Sequence, residues 1–308
     1  MKRVIVTGAT GFIGKALCFR LAEEGYEVVA LTRSLEKGKK LFGNKATAAK
    51  WGGQSAESWL DFVDGAWGIV NLAGENIGSG RWTPQKKQSI LQSRLDAGRA
   101  VVEAVESVEK KPEVVIQASA VGYYGSQADE LIDENSSPGE GFLADIAKEW
   151  ELSTQKVESL NVRRVVIRSG VVLGRDGGAF LRLLKPFRFF AGGSLGSGRQ
   201  WFAWIHLADE LEAILFLLKR EDLQGVFNLT APESLIQKDL ARLLGKILKR
   251  PSWLPAPGFM LRLFLGEMAG EMLLVSQRVT PRRLLEAGFS FRYPQMEQAL
   301  REILESNK

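Results

Sequence analysis

The 308-residue chain contains one cysteine and one histidine, and these two scarcities exclude a good deal of chemistry. Cys18 has no partner for an internal disulfide, and a thiolate metal site needs several cysteines. It falls inside a helical stretch and reads as a small buried apolar residue. With His206 as the sole imidazole, a histidine-rich metal site is ruled out and a Ser-His-Asp hydrolase is confined to that one position. Long apolar runs are also missing. Val4 to Phe19 is broken by Thr7, Gly8, Thr10, Gly11, Gly14 and Lys15, and Phe259 to Leu265 contains Arg262, so neither a secretory signal nor a membrane span is expected. The expected location is cytoplasmic. The formal charge of +5 is mild, and no basic run resembles a nucleic-acid arm or a membrane anchor. The eight tryptophans are scattered as core or pocket residues would be, so neither nucleic acid nor membrane is an expected partner.

What is present is an alternation of short β-branched strands and amphipathic helices. Strands are expected at Arg3–Thr7, Glu27–Leu31, Gly68–Leu72, Val114–Ala118, Arg164–Arg168 and Val226–Leu229. Helices are expected over Gly11–Glu24, about Gln85 to Val108, Phe142–Ser159 and Asp209–Lys219. This pattern predicts an α/β protein with a Rossmann-type doubly wound parallel sheet and a smaller C-terminal substrate lobe. The dinucleotide-binding domain is expected over 1–174, with return segments at about 205–230. The smaller lobe is expected from 175–204 and 231–308.

The run Thr7-Gly8-Ala9-Thr10-Gly11-Phe12-Ile13-Gly14 sits between the first strand and the first helix. Its glycines let the backbone approach a pyrophosphate, and the helix N-terminus supplies free N–H groups. Directly after a first strand, this GxxGxxG spacing predicts a dinucleotide site that includes Gly8, Thr10, Gly11, Phe12, Ile13 and Gly14. The second strand runs into Thr32-Arg33-Ser34, with no acid where a carboxylate would grip the ribose hydroxyls of NAD. Arg33 can pair with a 2′-phosphate, so the expected cofactor is NADP(H); the alternative is a solvated arginine at a strand end.

Further motifs occur in order: NLAGENI at Asn71–Ile77, Ser93-Arg94, GYYG at Gly122–Gly125, KEWE at Lys148–Glu151, RSGVVLG at Arg168–Gly174, WFAWIH at Trp201–His206, and a terminal TPRRLLEAGFSFRYP. With the glycine loop they make the chain resemble the extended short-chain dehydrogenase/reductases, and within them the epimerase-like SDR39U1/YfcH family with its C-terminal domain of unknown function, DUF1731. The resemblance implies that Asn71, Leu72, Ala73 and Gly74 pass under the adenosine and ribose half of the cofactor. Ser93 and Arg94 would face it from the next helix, with a structural ion pair as the alternative role for Arg94. Glu75 either points into the crevice or caps the loop. Ala118 and Ser119 at the fourth expected strand's end, and Arg168, Gly170 and Val171, resemble segments near the nicotinamide. A homodimer through two of the helices is implied by analogy alone.

The superfamily's hydride chemistry normally employs a Ser or Thr, a Tyr, and a Lys four residues after the Tyr, which depresses the phenol pKa. Ser119 fits the first position. No tyrosine lies between Gly139 and Ser159; anchoring on Lys148 puts Ala144 in the phenol slot, and anchoring on Glu151 puts Leu143 and Ala147 in the two slots. The YxxxK pair is absent. Ser119, Tyr123, Tyr124 and His206 remain as catalytic candidates, against core aromatics and a structural histidine as the alternative. Arg199, Trp201, Trp204 and His206 either wall a substrate pocket or form an interface between lobes. Two functions are therefore expected to compete. One is an NADP(H)-dependent, epimerase-like oxidoreductase of an unknown small molecule; the other is an NADP(H)-binding regulatory or redox-sensing protein with little catalysis.

Overall fold

A computed structural model describes residues 1–305. Seven parallel strands form one sheet: β1 (Arg3–Thr7), β2 (Glu27–Thr32), β3 (Thr47–Lys50), β4 (Gly68–Asn71), β5 (Val114–Ala120), β6 (Arg163–Ser169) and β7 (Gly225–Leu229), in the order β7-β6-β5-β4-β1-β2-β3. The order reverses between β1 and β4, and a Rossmann-type sheet opens its binding crevice at that switch point. Apart from the edge strand β3, the strands are mostly apolar, β-branched runs buried on both faces, as a sheet covered by helices on each side requires.

The two faces are separable by residue parity. Val4, Val6, Val70, Ile116 and Ile167 pack with Leu17, Cys18 and Leu21 of α1 (Phe12–Glu23) and with the helix Leu207–Lys219. Ile5, Val29, Ile69 and Val115 pack on the other face with Ala97, Val101 and Val105 of the long helix Pro84–Ser107. That helix starts cleanly because the Thr83 side chain accepts from the Lys86 N–H and Pro84 stands in the first turn, where a missing N–H costs nothing. Cys18 is fully buried, and burial pushes its thiol up to about 12.

A third apolar cluster lies beyond β6. It joins the helix Phe180–Arg188, the helix Gln237–Leu248 and the C-terminal helix Met296–Glu305 around Phe180, Leu184, Trp204, Leu240 and Leu300. The sequence expectation differs from the structure in several places. The helix from Phe142 stops at Leu152 and gives way to a 3-10 turn over Gln155–Leu160, rather than running on to Ser159. The edge strand β3 and the helix Leu35–Phe42 were not expected. Among the described residues no helix is long and apolar enough to cross a membrane.

Candidate functional site

The glycine loop sits at the switch point. Gly8 has φ +63°, and a Cβ there would come within 2.7 Å of the Leu72 carbonyl oxygen. A Cβ on Gly14 would come within 2.3 Å of the Gly8 carbonyl oxygen. The loop therefore closes on itself and on the end of β4 only because both side chains are absent. Thr10 and Gly11 are exposed at its tip, and α1 begins with no capping side chain and no acid in its first turn. Its unpaired N–H groups and positive dipole end suit a pyrophosphate. The loop is thus compatible with a dinucleotide.

Sheet register then builds two polar rows at the carboxyl edge. Thr7, Asn71 and Gln117 are partners across β1, β4 and β5. The Thr7 hydroxyl donates to Asn71 Oδ1 at 2.6 Å and accepts the Leu72 and Ala73 N–H groups at 3.1 Å, while Asn71 Nδ2 donates to Gln117 Oε1 at 2.8 Å. Asn71 is wholly buried with its amide engaged, so it shapes the floor below Leu72 and Ala73 rather than meeting a ligand.

The second row is Ser119, Arg168 and Asn228 across β5, β6 and β7. Glu151 reaches them from the helix Phe142–Leu152. Ser119 Oγ donates to Glu151 Oε1 at 2.6 Å, and Arg168 Nε and Nη2 donate to the two carboxylate oxygens at 2.8 Å each. Arg168 Nη1 donates to the Tyr124 hydroxyl at 3.0 Å, which donates onward to Asn228 Oδ1 at 2.7 Å. The Arg168 guanidinium also lies 3.4 Å from the Tyr123 ring centroid. Burial disfavours the Arg168 charge, but the Glu151 carboxylate more than offsets this and holds its pKa above the ordinary value. Burial pushes the Tyr124 hydroxyl up to about 12.

These contacts revise the placement of several expected site residues. Arg168 is buried in an ion pair with Glu151. Ser119 and Tyr124 have their hydroxyls committed to protein partners. His206 lies outside this network: Nδ1 accepts the Ala208 N–H at 3.1 Å, Nε2 faces Glu302 at 3.0 Å, and the ring lies tilted against Tyr293 with centroids 4.1 Å apart. Burial lowers its pKa, only partly countered by Glu302, and the Nδ1 contact places the neutral ring's proton on Nε2. Trp204 belongs to the core, its indole donating to the Glu233 carbonyl, so it lines no pocket; Arg199 is exposed and Trp201 donates to Asp129. Gly170 packs against the Ala203 backbone, Val171 is half-buried beside it, and Ala118 is buried in the sheet. Tyr123 alone among the catalytic candidates is half-buried with a hydroxyl that bonds to no described residue.

The loop after β4 is held by the long helix. Ser93 Oγ accepts the Glu75 N–H at 2.9 Å, and the Glu75 carboxylate accepts from Lys86 and Ser89, which hold its pKa low. Arg94 is neither exposed nor in a close ion pair. Its guanidinium donates to the carbonyls of Glu75 and Ile90, lies over the Trp150 ring, and abuts Gly74. Burial lowers its pKa to about 10, with Glu75 acting in the opposite direction. At the end of β2, Thr32 and Ser34 pin the turn by reciprocal hydrogen bonds, and Arg33 projects outward with no hydrogen bond or ion pair to any described residue. Asn228 and Glu271, which accepts the Leu143 N–H at 3.0 Å, are site-shaping residues that sequence reasoning did not single out, and Glu151 entered it only as an alignment anchor. Leu143 itself lies against Gly122, where the expected phenol slot falls.

The NAD dependent epimerase/dehydratase family model matches residues 4–230, and a domain of unknown function, DUF1731, matches residues 256–303. The chain belongs to that epimerase/dehydratase family. It is similar to the chloroplastic epimerase family protein SDR39U1 homolog of Arabidopsis thaliana, at 42% identity over 98% of this chain and 86% of the relative. The epimerase family protein YfhF of Bacillus subtilis is 36% identical over 99% of each chain. Among solved structures, that of human epimerase family protein SDR39U1 (isoform 2) with NADPH superposes with a TM-score of 0.88 at 33% identity, covering 99% of both chains. The family and the Rossmann-type α/β fold expected from the sequence are both as expected; so is the DUF1731 region.

Proposed function

We propose that this chain binds NADP(H) along the glycine loop and acts as an epimerase-like oxidoreductase on a small molecule. The observation that carries the cofactor reading is Arg33, an unpaired cation at the end of β2 beside the switch point, where a 2′-phosphate needs one. A similar protein, human SDR39U1, has been crystallised with NADPH. In this reading Gly8, Thr10, Gly11, Phe12, Ile13 and Gly14 receive the pyrophosphate, and Thr32, Arg33 and Ser34 receive the adenosine end. Leu72, Ala73 and Gly74 form the floor that Thr7 and Arg94 hold in place. The cofactor, when bound, supplies hydride exchange.

The protein's own share is unusual. No phenol comes from the helix Phe142–Leu152, because Leu143 and Ala147 stand in the expected slots. Tyr123 is the remaining candidate for moving a proton. Its hydroxyl bonds to no described residue, and the Arg168 guanidinium lies 3.4 Å from its ring centroid, which fixes the ring's place at the end of the row. Ser119, Glu151 and Tyr124 position Arg168 and do not touch substrate.

A second reading, an NADP(H)-binding regulatory or redox-sensing protein with little turnover, draws support from the same locking of Ser119, Tyr124 and His206. Calorimetry tests the cofactor reading: NADPH is expected to bind more tightly than NADH, and Arg33→Asp to weaken NADPH by about 1.5–3 kcal/mol, the size of a charge-assisted contact, with NADH hardly changed. Equal affinities in the wild type would refute it. Absorbance of bound NADPH, followed across a panel of carbonyl and sugar-nucleotide substrates, separates the enzyme from the sensor.

A further inference from the structure

The large apolar side chains left on the surface are concentrated in two segments that meet. Phe189 is 80% exposed, and Phe190 follows it at φ +60°, a left-handed conformation that a bulky side chain seldom adopts. Trp253 is 73% exposed, and in the helix Gly258–Leu265 Phe259, Leu263 and Phe264 are 71%, 69% and 68% exposed, with no residue of that helix buried. Backbone hydrogen bonds join the two segments: Leu254 N donates to the Gly192 carbonyl at 3.1 Å, Ala256 N to Ser194 at 2.9 Å, and Gly196 N to Ala256 at 2.9 Å. The Arg250 guanidinium lies 4.1 Å from the Phe190 ring centroid. They form one surface.

Its charge is one-sided. Residues 177–208 and 240–266 together carry nine Lys and Arg and no Asp or Glu of their own, in a chain whose overall excess is +5; two of the nine, Arg242 and Lys246, pair with Asp239 and Glu297 outside these stretches. Lys185, Arg188, Lys249 and Arg262 are exposed and unpaired with any described carboxylate. No single stretch is polybasic; the fold assembles the cluster from two segments.

We propose that this face docks on an anionic lipid bilayer, with the aromatic and aliphatic side chains entering the interface and the surrounding cations meeting the headgroups. Aromatic and leucine side chains rimmed by Lys and Arg are the composition of helices that lie in the plane of a membrane surface, and clustered cations beside them draw the surface toward anionic lipid. A second copy of this chain fits poorly, because it would set cation against cation. A single-stranded nucleic acid would use the rings and cations but leave Leu254, Met260 and Leu263 without partners. Docking requires no spanning helix.

The test is flotation of the full chain with vesicles of phosphatidylcholine alone or mixed equally with phosphatidylglycerol. The expected result is binding to the anionic vesicles at least tenfold stronger than to neutral ones and weakened by salt. Leu263→Glu with Phe264→Glu, and separately Arg188→Glu with Arg250→Glu, should each reduce it at least tenfold. Leu285→Glu, at an exposed leucine outside this face, should leave it unchanged. All substituted positions are exposed, and circular dichroism checks that the variants fold. Absence of binding, equal binding to both vesicles, or variants that bind like the wild type would overturn the proposal. So would a self-association, seen by light scattering, that Leu263→Glu with Phe264→Glu abolishes, or an oligonucleotide that binds this face more tightly than the vesicles do. NADPH affinity, measured alongside, reports on the cofactor site independently.

Discussion

Arg168 is the residue for which the family resemblance and the geometry give opposite forecasts. The resemblance puts it beside the nicotinamide; the structure puts it in a closed polar network. Arg168→Ala would remove a doubly hydrogen-bonded ion pair whose side chains are 4% and 12% exposed. It would also remove the donor to Tyr124 and the cation against Tyr123. Glu151 would remain buried with only the Ser119 hydroxyl. Deleting one partner of a buried pair costs about 3–5 kcal/mol, because the survivor stays desolvated and uncompensated. Replacing both partners with apolar side chains of similar size, as in Arg168→Met with Glu151→Leu, removes both charges and should recover at least half of that loss. Urea unfolding followed by circular dichroism measures the change, and NADPH calorimetry on the folded variant should give an affinity close to that of the wild type. A loss below about 1 kcal/mol would show that the pair does not hold the three strand ends together. Lost NADPH binding with an unchanged unfolding midpoint would return Arg168 to the cofactor.

Tyr123→Phe is expected to lower turnover of a verified substrate on the order of 10²-fold or more while leaving NADPH affinity unchanged, as loss of a proton-transfer group should; steady-state kinetics with calorimetry decide this. Gly11→Val should abolish nucleotide binding with an unchanged circular dichroism spectrum, since Gly11 is exposed at φ −76°, whereas Gly14→Val should fail to fold because its Cβ would strike the Gly8 carbonyl. Glu210 is fully buried and, among the described residues, bonds only to Ser169, and burial pushes its carboxyl from 4.5 to about 8. Between those values the folded chain holds a proton that the unfolded chain releases, so stability should fall as pH rises through the window, by on the order of 4 kcal/mol. Glu210→Gln should flatten that slope in urea midpoints taken at pH 5 and pH 8; an unaltered slope would assign the pH dependence elsewhere.

Strands buried on both faces announce themselves as β-branched runs, and for that reason six of the seven sheet strands were legible within two residues of their observed ends. The seventh, Thr47-Ala48-Ala49-Lys50, is an edge strand with one neighbour and no apolar run, so local sequence carries almost no trace of it. The glycine loop was legible because its spacing is local: Gly14 closes on Gly8 within one turn, even though Gly8 also packs against Leu72 at the end of β4.

The chemistry of the second polar row was not legible, because it is created by register. Ser119, Arg168 and Asn228 are separated by 49 and 60 residues and become neighbours only when three parallel strands align. A serine at a strand end looks the same in sequence whether it faces a ligand or a glutamate on the covering helix. The clue available was Glu151, the residue that aligned Leu143 and Ala147 with the empty phenol and lysine slots. Its carboxylate, buried beneath the sheet edge, had to find a cation and a hydroxyl, and the motif RSGVVLG supplied the one and the end of β5 the other. A buried carboxylate thus foretells the fate of its neighbours more reliably than a catalytic motif with two of its three members missing. By that logic Tyr123 gains its standing from what its neighbours are already doing: Arg168 faces its ring, and every other candidate hydroxyl in the row is engaged.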